Sequence, residues 1–238
     1  MGADIKALRT RIKSVDSTLH LTKAMGLVAS SKIRRANEAM MKTREYAHRL
    51  AEITESLAAC PECARSPYMR EPGSRMKLIV IAGDRGLAGG YNANIFRLVK
   101  EYPDAEIIPI GKRICDRYGK NPVSSEHFSG ADAYLLGKTL CESFLRGEYD
   151  RLGIISTRYI SMMTQEAVVR FLLPLCLPSE TKPLSMVFEP DAATILNTAI
   201  PEYLAGMIAA AVRESFASEV AARRMAMDNA GKNAASMI

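Results

Sequence analysis

The sequence predicts an α/β protein in which a domain of alternating strands and helices is inserted between two long terminal helices paired as an antiparallel coiled coil. Three observations carry this. An apolar or small residue recurs at alternating spacings of three and four from Ile5 to Leu57, with no proline before Pro61. A second stretch, free of further proline, follows Pro201 with the same spacing. Between them, short β-branched runs alternate with amphipathic segments, the pattern of a mainly parallel sheet with helices on its faces.

The first helix, residues 1–59, places Ile5, Leu8, Ile12, Val15, Leu19, Thr22, Gly26, Ala29, Ile33, Ala36, Met40, Thr43, Ala47, Leu50, Thr54 and Leu57 on one seam. Two seam positions per heptad make a coiled-coil stripe, narrower than the face of a helix lying on a globular core. Roughly 55 helical residues span roughly 80 Å at about 1.5 Å per residue. That exceeds the diameter of any domain this chain builds, so the helix projects and needs a partner. Between Asp16 and Glu38 there is no acid, only Lys23, Lys32, Arg34 and Arg35, a basic collar without a local counter-charge.

Residues 60–76 read as a linker. The inserted domain, 77–190, has strand candidates at "KLIVIAG" (77–83), "AEIIPIG" (105–111), "LGIISTRYI" (152–160) and "LSMVFEP" (184–190). "NANIFRLVKEY" and "ADAYLLGKTLCESFLRGEY" read as its helices. The last helix, within 191–238, is expected to hold Pro201 in its first turn. Its seam is expected through Leu204, Ile208, Ala211, Ser215, Ser218, Ala222, Met225 and Asn229. Small seam residues allow the two helix axes to approach closely.

Composition narrows the class. Of 238 residues, 48% are hydrophobic and 24% charged, as in an ordinary globular protein. No run approaches the roughly 20 apolar residues of a membrane span, and "MGADIKALRT" lacks the apolar centre of a signal peptide. Gly2 does not complete a myristoylation pattern, because position 6 is Lys6. Five cysteines without a framework fit a reducing compartment. The net charge of +6 is concentrated at residues 1–58, with 11 basic against 6 acidic residues. Spread along a helix, that excess is no nucleic-acid signature.

The most conspicuous motif is "AGDRGLAGGYNANIF" (82–96), between a strand and a helix, where α/β proteins hold phosphates. Its glycines, Gly83, Gly86, Gly89 and Gly90, are not spaced as a dinucleotide or P-loop fingerprint. The favoured reading is a structural turn in which Asp84 and Arg85 bond locally; nucleotide binding is the alternative. "GKT" at 137–139 lacks the earlier P-loop glycine, since position 132 is Asp132. "CPEC" offers two thiols, Cys60 and Cys63, where zinc needs four ligands, and reads as a surface loop. His20, His48 and His127 show no metal spacing. No catalytic set, cofactor site or metal site emerges. Residue chemistry alone stops at a projecting coiled coil on an α/β foot, an assembly component.

Three stretches taken together carry a resemblance: "IKALRTRIKSVDSTLHLTKAMGLVASSKIRRA" at the start, "GDRGLAGGYNANI" after the first strand, and "SEVAARRMAMDNAGKNAASMI" at the end. In this order they resemble the gamma subunits of bacterial-type F-type ATP synthases over the whole chain. "LLP" at 172–174 and "FEP" at 188–190 are similar to that family too. The resemblance implies a Rossmann-like inserted α/β domain as the foot of a central rotor shaft that couples ion flow through a membrane ring to ATP synthesis or hydrolysis. It implies partners: the alpha and beta subunits of the catalytic hexamer, the epsilon subunit and the membrane c-ring. It implies a non-catalytic subunit of a proton-translocating complex, peripheral on the cytoplasmic face of the bacterial membrane, without its own span and without nucleic acid. Lys23 and Met25, with Lys32, Arg34 and Arg35, then lie where the shaft meets acidic loops of the beta subunits. The other reading of these cations is a solvated helix face, since exposed pairs contribute only about 0–1 kcal/mol. Ala88 stands where the family usually has Cys. The family's last helix continues for further turns past the position of Ile238, so the resemblance implies a truncated C-terminal helix. A non-rotary coiled-coil adaptor and a nucleotide-binding α/β protein are the alternatives.

Overall fold

A computed structural model describes residues 2–176 and 188–238. Helix α1 (Gly2–Ala58) runs 57 residues and α5 (Ala192–Ser236) runs 45. They lie antiparallel. Leu19 and Thr22 face Gly231, Gly26 faces Met227, and Tyr46 and Leu50 face Gly206. Ala29 and Ile33 share a core with Val220 and Ala221, and Ala36 and Met40 share one with Ala217. A Cβ on Gly206 would lie 2.7 Å from Leu50 Cδ2 and 3.2 Å from Tyr46 Cε1, which measures how closely the axes approach. Ile5 and Leu8, N-terminal to these contacts, are more than half exposed.

The α1 seam follows the expected register, whereas the α5 seam does not. Gly206, Ala217, Val220, Met227 and Gly231 meet α1. Ser215 and Ser218, expected on the seam, face the inserted domain instead. The reason is compositional: α5 is apolar or small on most of its surface, so spacing alone does not select the face turned to α1. Helix α5 also begins earlier than Pro201. Asp191 caps it by accepting from the Thr194 amide at 2.8 Å, and Pro201 lies well inside. An interior proline costs about 3 kcal/mol. Burial of Ile200, Leu204 and Ile208 beside it, all fully inaccessible, offsets that cost. An 18-residue window of α5 reaches a mean hydropathy of 1.4, and half of it is buried in the protein core.

Among the described residues the sheet has four strands: β1 (Met76–Ile81), β2 (Glu106–Ile110), β3 (Arg151–Tyr159) and β4 (Gln165–Leu173), in the order β2-β1-β3-β4. The first three are parallel, and β4 returns antiparallel to β3. Helix α2 (Tyr91–Val99) and the short α3 (Lys112–Arg117) cover one face, where Leu78, Val80, Ile95, Val99, Ile114 and Ile155 pack. Helix α4 (Gly130–Leu145) and α5 cover the other, against Ile79, Ile81, Ile110, Leu152 and Ile154. Both faces of β1 are thus buried, which explains its unbroken apolar run. Strand β4 and α3 were not among the expected elements. Of the expected strand at 184–190, residues 184–187 lie outside the described residues, and 188–190 are not strand.

"CPEC" is not a surface loop. It forms a 3-10 turn, Pro61–Arg65, after α1, and Cys60 and Cys63 are both buried in the main core. Burial, then the neighbouring Cys60, pushes the Cys63 thiol up from its ordinary pKa.

Candidate functional site

The strand order reverses at β1, with β2 on one side and β3 on the other. In open α/β sheets ligands enter the crevice at the carboxyl ends of such strands. Here the glycine-rich loop after β1 and the end of β3 define that crevice, and α5 fills it.

The loop is held from every side. The Gly83 amide donates to Asn92 Oδ1 at 2.9 Å, and Asn92 donates back to the Arg85 carbonyl at 3.1 Å. Asp84 accepts from the Ser124 hydroxyl at 2.5 Å and from the amides of Ser125, Lys112 and Glu126 at 2.9, 3.0 and 3.2 Å. Burial works to raise the Asp84 pKa, but these four bonds outweigh it and hold the carboxyl below its usual range. Leu87 and Gly89 take positive φ, 59° and 56°, which lets the chain reverse into α2.

The crevice itself receives Glu219 of α5, only 3% exposed. Its carboxylate accepts from Arg223. Arg223 also donates to the Gly86 carbonyl at 3.3 Å. A Cβ on Gly83 would meet the Glu219 carboxylate at 2.7–3.0 Å, so close approach of that carboxylate requires glycine. Burial pushes the Glu219 carboxyl up, opposed by the Arg223 hydrogen bond and charge. An internal carboxylate thus occupies the place where a bound phosphate would meet loop amides in a nucleotide-binding relative of this topology.

The end of β3 is gripped in the same way. Strand β1 pairs with β3 only as far as Ile155. Beyond it, the Thr157 amide donates to Ser215 Oγ at 3.1 Å and the Tyr159 amide to Glu214 Oε1 at 2.9 Å. Tyr91, from α2, donates its buried hydroxyl to the Ser215 carbonyl at 3.0 Å.

The basic collar divides. Lys32 pairs with Glu126 across 94 residues of sequence, and Arg34 pairs with Glu38 one turn away at 2.9 Å. The first pair joins α1 to the loop that holds Asp84; the second is exposed and contributes little. Lys23 and Arg35 are exposed and make no ion pair among the described residues. Met25 is half-buried on a groove of about 370 Å3 whose walls include Val28, Lys32, Arg85, Leu87 and Phe216. Structure therefore brings Met25, Lys32 and the glycine loop together and leaves Lys23, Arg34 and Arg35 facing outward. The sequence reading missed Glu214, Glu219 and Arg223. The available signal was Glu219 and Arg223 one turn apart in an otherwise small-residue stretch.

A sequence profile of the family described as ATP synthase matches residues 4–238. ATP synthase gamma chains of Ruminococcus albus and Moorella thermoacetica are each 35% identical to it, over 99% of this chain and 89% of theirs. The chain belongs to the ATP synthase gamma-chain family. Solved structures agree at the level of fold. The central stalk and c-ring structure of the Tetrahymena thermophila mitochondrial ATP synthase contains a chain with a TM-score of 0.66 at 21% identity, covering 88% of this chain and 99% of that one. A chain in the Euglena gracilis mitochondrial enzyme also gives 0.66, at 16% identity, covering 100% of this chain and 86% of that one. A gamma chain is a subunit of an ATP-synthesising, membrane-associated complex.

Proposed function

We propose that this gamma chain is the central rotor shaft of its complex, with residues 1–59 and 191–238 as the shaft and 77–190 as the foot. One observation supports it above the others: two long helices pair over small residues, and the outward face of α1 mixes the exposed cations Lys23, Arg34 and Arg35 with scattered exposed apolar side chains such as Leu21, Leu27 and Val28. Such a surface suits a part that turns inside a sleeve, because weak contacts are made and broken without a deep apolar lock. The alpha and beta subunits form that sleeve. The foot meets the epsilon subunit and the c-ring. The chain carries no catalytic site; it transmits rotation driven by proton flow, on the cytoplasmic face of a bacterial membrane. Lys23 and Arg35, with Arg34 and the half-buried Met25, meet the beta subunits. Lys32 turns inward to Glu126 and braces the foot. Gly83, Asp84, Arg85, Gly86, Gly89 and Gly90 form a structural turn that seats α5.

The test is co-expression with cognate alpha and beta subunits, followed by sizing and an ATPase assay. One copy of this chain per three alpha/beta pairs, with ATPase above the chain-free control, is the expected result. Failure to join that complex while the alpha and beta subunits assemble with the gamma chain of a relative would refute the proposal.

A further inference from the structure

The shaft and the foot are joined by more than apolar packing, and one residue of the foot is held from both helices. Strand β3 outruns β1, so its last outward-facing backbone groups have no strand to pair with. Side chains of the shaft take the place of that strand. Tyr159 donates its amide to Glu214 Oε1 of α5 at 2.9 Å, and its carbonyl accepts from Arg44 Nη2 of α1 at 3.0 Å. Arg44 and Glu214 bond to each other at 2.7 Å through the same two atoms. Two residues earlier, the Thr157 amide donates to Ser215 Oγ, and Ser218 Oγ donates to the Thr157 carbonyl at 3.4 Å.

These bonds close a ring across three elements. Glu214 is four-fifths buried and Arg44 somewhat under half exposed, so the ion pair is shielded on one side. A charge-assisted bond to backbone is about twice as strong as a neutral one and has a fixed direction. Apolar contacts between Phe216, Tyr159 and Ala29 in the same region are non-directional and permit sliding. A load that twists the shaft against the foot is therefore resisted first by the directional bonds.

We infer that Glu214 is a positioning residue for rotation under load, fixing shaft to foot by joining α5, α1 and the end of β3. This rests on the rotor-shaft reading, and the experiment separates the two.

The first measurement is amide hydrogen exchange on the full chain, which needs no partner. In Glu214→Ala, exchange at Tyr159 accelerates about tenfold, the change expected for each 1.4 kcal/mol of lost local stability, while Ile154 is unchanged. Equal Tyr159 exchange in the variant and the natural chain overturns the clamp. The second uses the assembled complex in membrane vesicles, with ATPase and the ATP-driven membrane potential recorded together. Glu214→Ala keeps its unloaded ATPase, and the potential reached at fixed ATP falls at least about twofold. Glu214→Asp recovers part of it. A potential equal to the natural chain's at equal ATPase overturns the coupling role. Where Glu214→Ala does not assemble, Arg44→Ala, at the more exposed partner, takes its place with the same expected fall and the same overturning result. If the natural chain itself supports neither ATPase nor potential, the rotor reading fails while the exchange result still judges the clamp.

Discussion

Replacing Gly83 by Ala tests how the foot accepts the shaft. The new Cβ would lie 2.7 Å from the Glu219 carboxyl carbon and 2.9 and 3.0 Å from its oxygens. Ordinary contact begins near 3.5 Å, so the carboxylate must withdraw by about 0.5–1 Å. Withdrawal breaks its buried bond to Arg223. Hydrogen bonds to charged groups contribute about 1.5–3 kcal/mol, and losing this one, between two largely buried charges, costs about 2–3 kcal/mol. At about 2–4 °C per kcal/mol for a chain of this size, the melting temperature falls by about 4–12 °C. The decisive comparison is a double-mutant cycle with Glu219→Ala, measured by urea unfolding of the full chain. Gly83 does not occupy a positive-φ conformation. Once the carboxylate is gone, Ala at position 83 should therefore cost nothing or stabilise by about 0.5 kcal/mol. The expected coupling is about 2–3 kcal/mol. A cost for Gly83→Ala that is the same within about 0.5 kcal/mol in both backgrounds would refute the seating of Glu219 against the loop.

Four other outcomes follow from the same geometry. Gly111→Ala places a Cβ 2.0 Å from the Ala82 carbonyl oxygen at a φ of 108°, so it should destabilise by more than about 4 kcal/mol; an unfolding midpoint like that of the natural chain contradicts this. The hydrogen-bonded Asp84 titrates below its ordinary range, so the stability it supplies is present above about pH 4 and lost as the pH falls through its lowered pKa. The gap in urea midpoint between the natural chain and Asp84→Asn should therefore be constant at neutral pH and narrow in acid, and a gap unchanged at about pH 2 speaks against it. Of five free thiols, Cys176 is exposed and the other four are buried, with Cys141 pushed up to about 12 by burial, so a thiol reagent should label one cysteine quickly in the native chain and the rest only in denaturant. Lys23→Glu and Arg35→Glu should lower ATP-driven membrane potential in the assembled complex without changing the chain's melting temperature, and unchanged potential in both variants would remove them from the bearing.

What the sequence disclosed depends on how locally each feature is encoded. The α1 seam was legible because Ala29, Ile33, Ala36 and Met40 repeat against a polar background, and structure buries all four. The α5 seam was not, because alanine and serine surround the helix and any phase fits. Strand β4 escaped because the turn before it, Ile160–Thr164, closes through Ser161 and Thr164 backbone bonds without glycine, asparagine or proline to mark it. Pro201 misled for the opposite reason: a strong local signal was overridden by burial of its neighbours. In the site, the glycine loop was visible as a motif, but its occupant was not. Glu219 lies more than 130 residues from Gly83, as far beyond local pattern as Glu126 is from Lys32.

The seating of α5 in the crevice has a consequence for the order in which the chain becomes itself. Strands β1 to β4 are complete by Leu173, yet the Thr157 and Tyr159 amides at the end of β3 and the Gly86 carbonyl of the loop after β1 find their partners only at residues 214–223. During synthesis the foot therefore leaves the ribosome with its crevice open and its backbone donors unspent. It closes when a segment made some 40 to 50 residues later arrives. Until then α1 also lacks the helix it pairs with, so foot and shaft reach their final state in one late step rather than as two modules folded in turn.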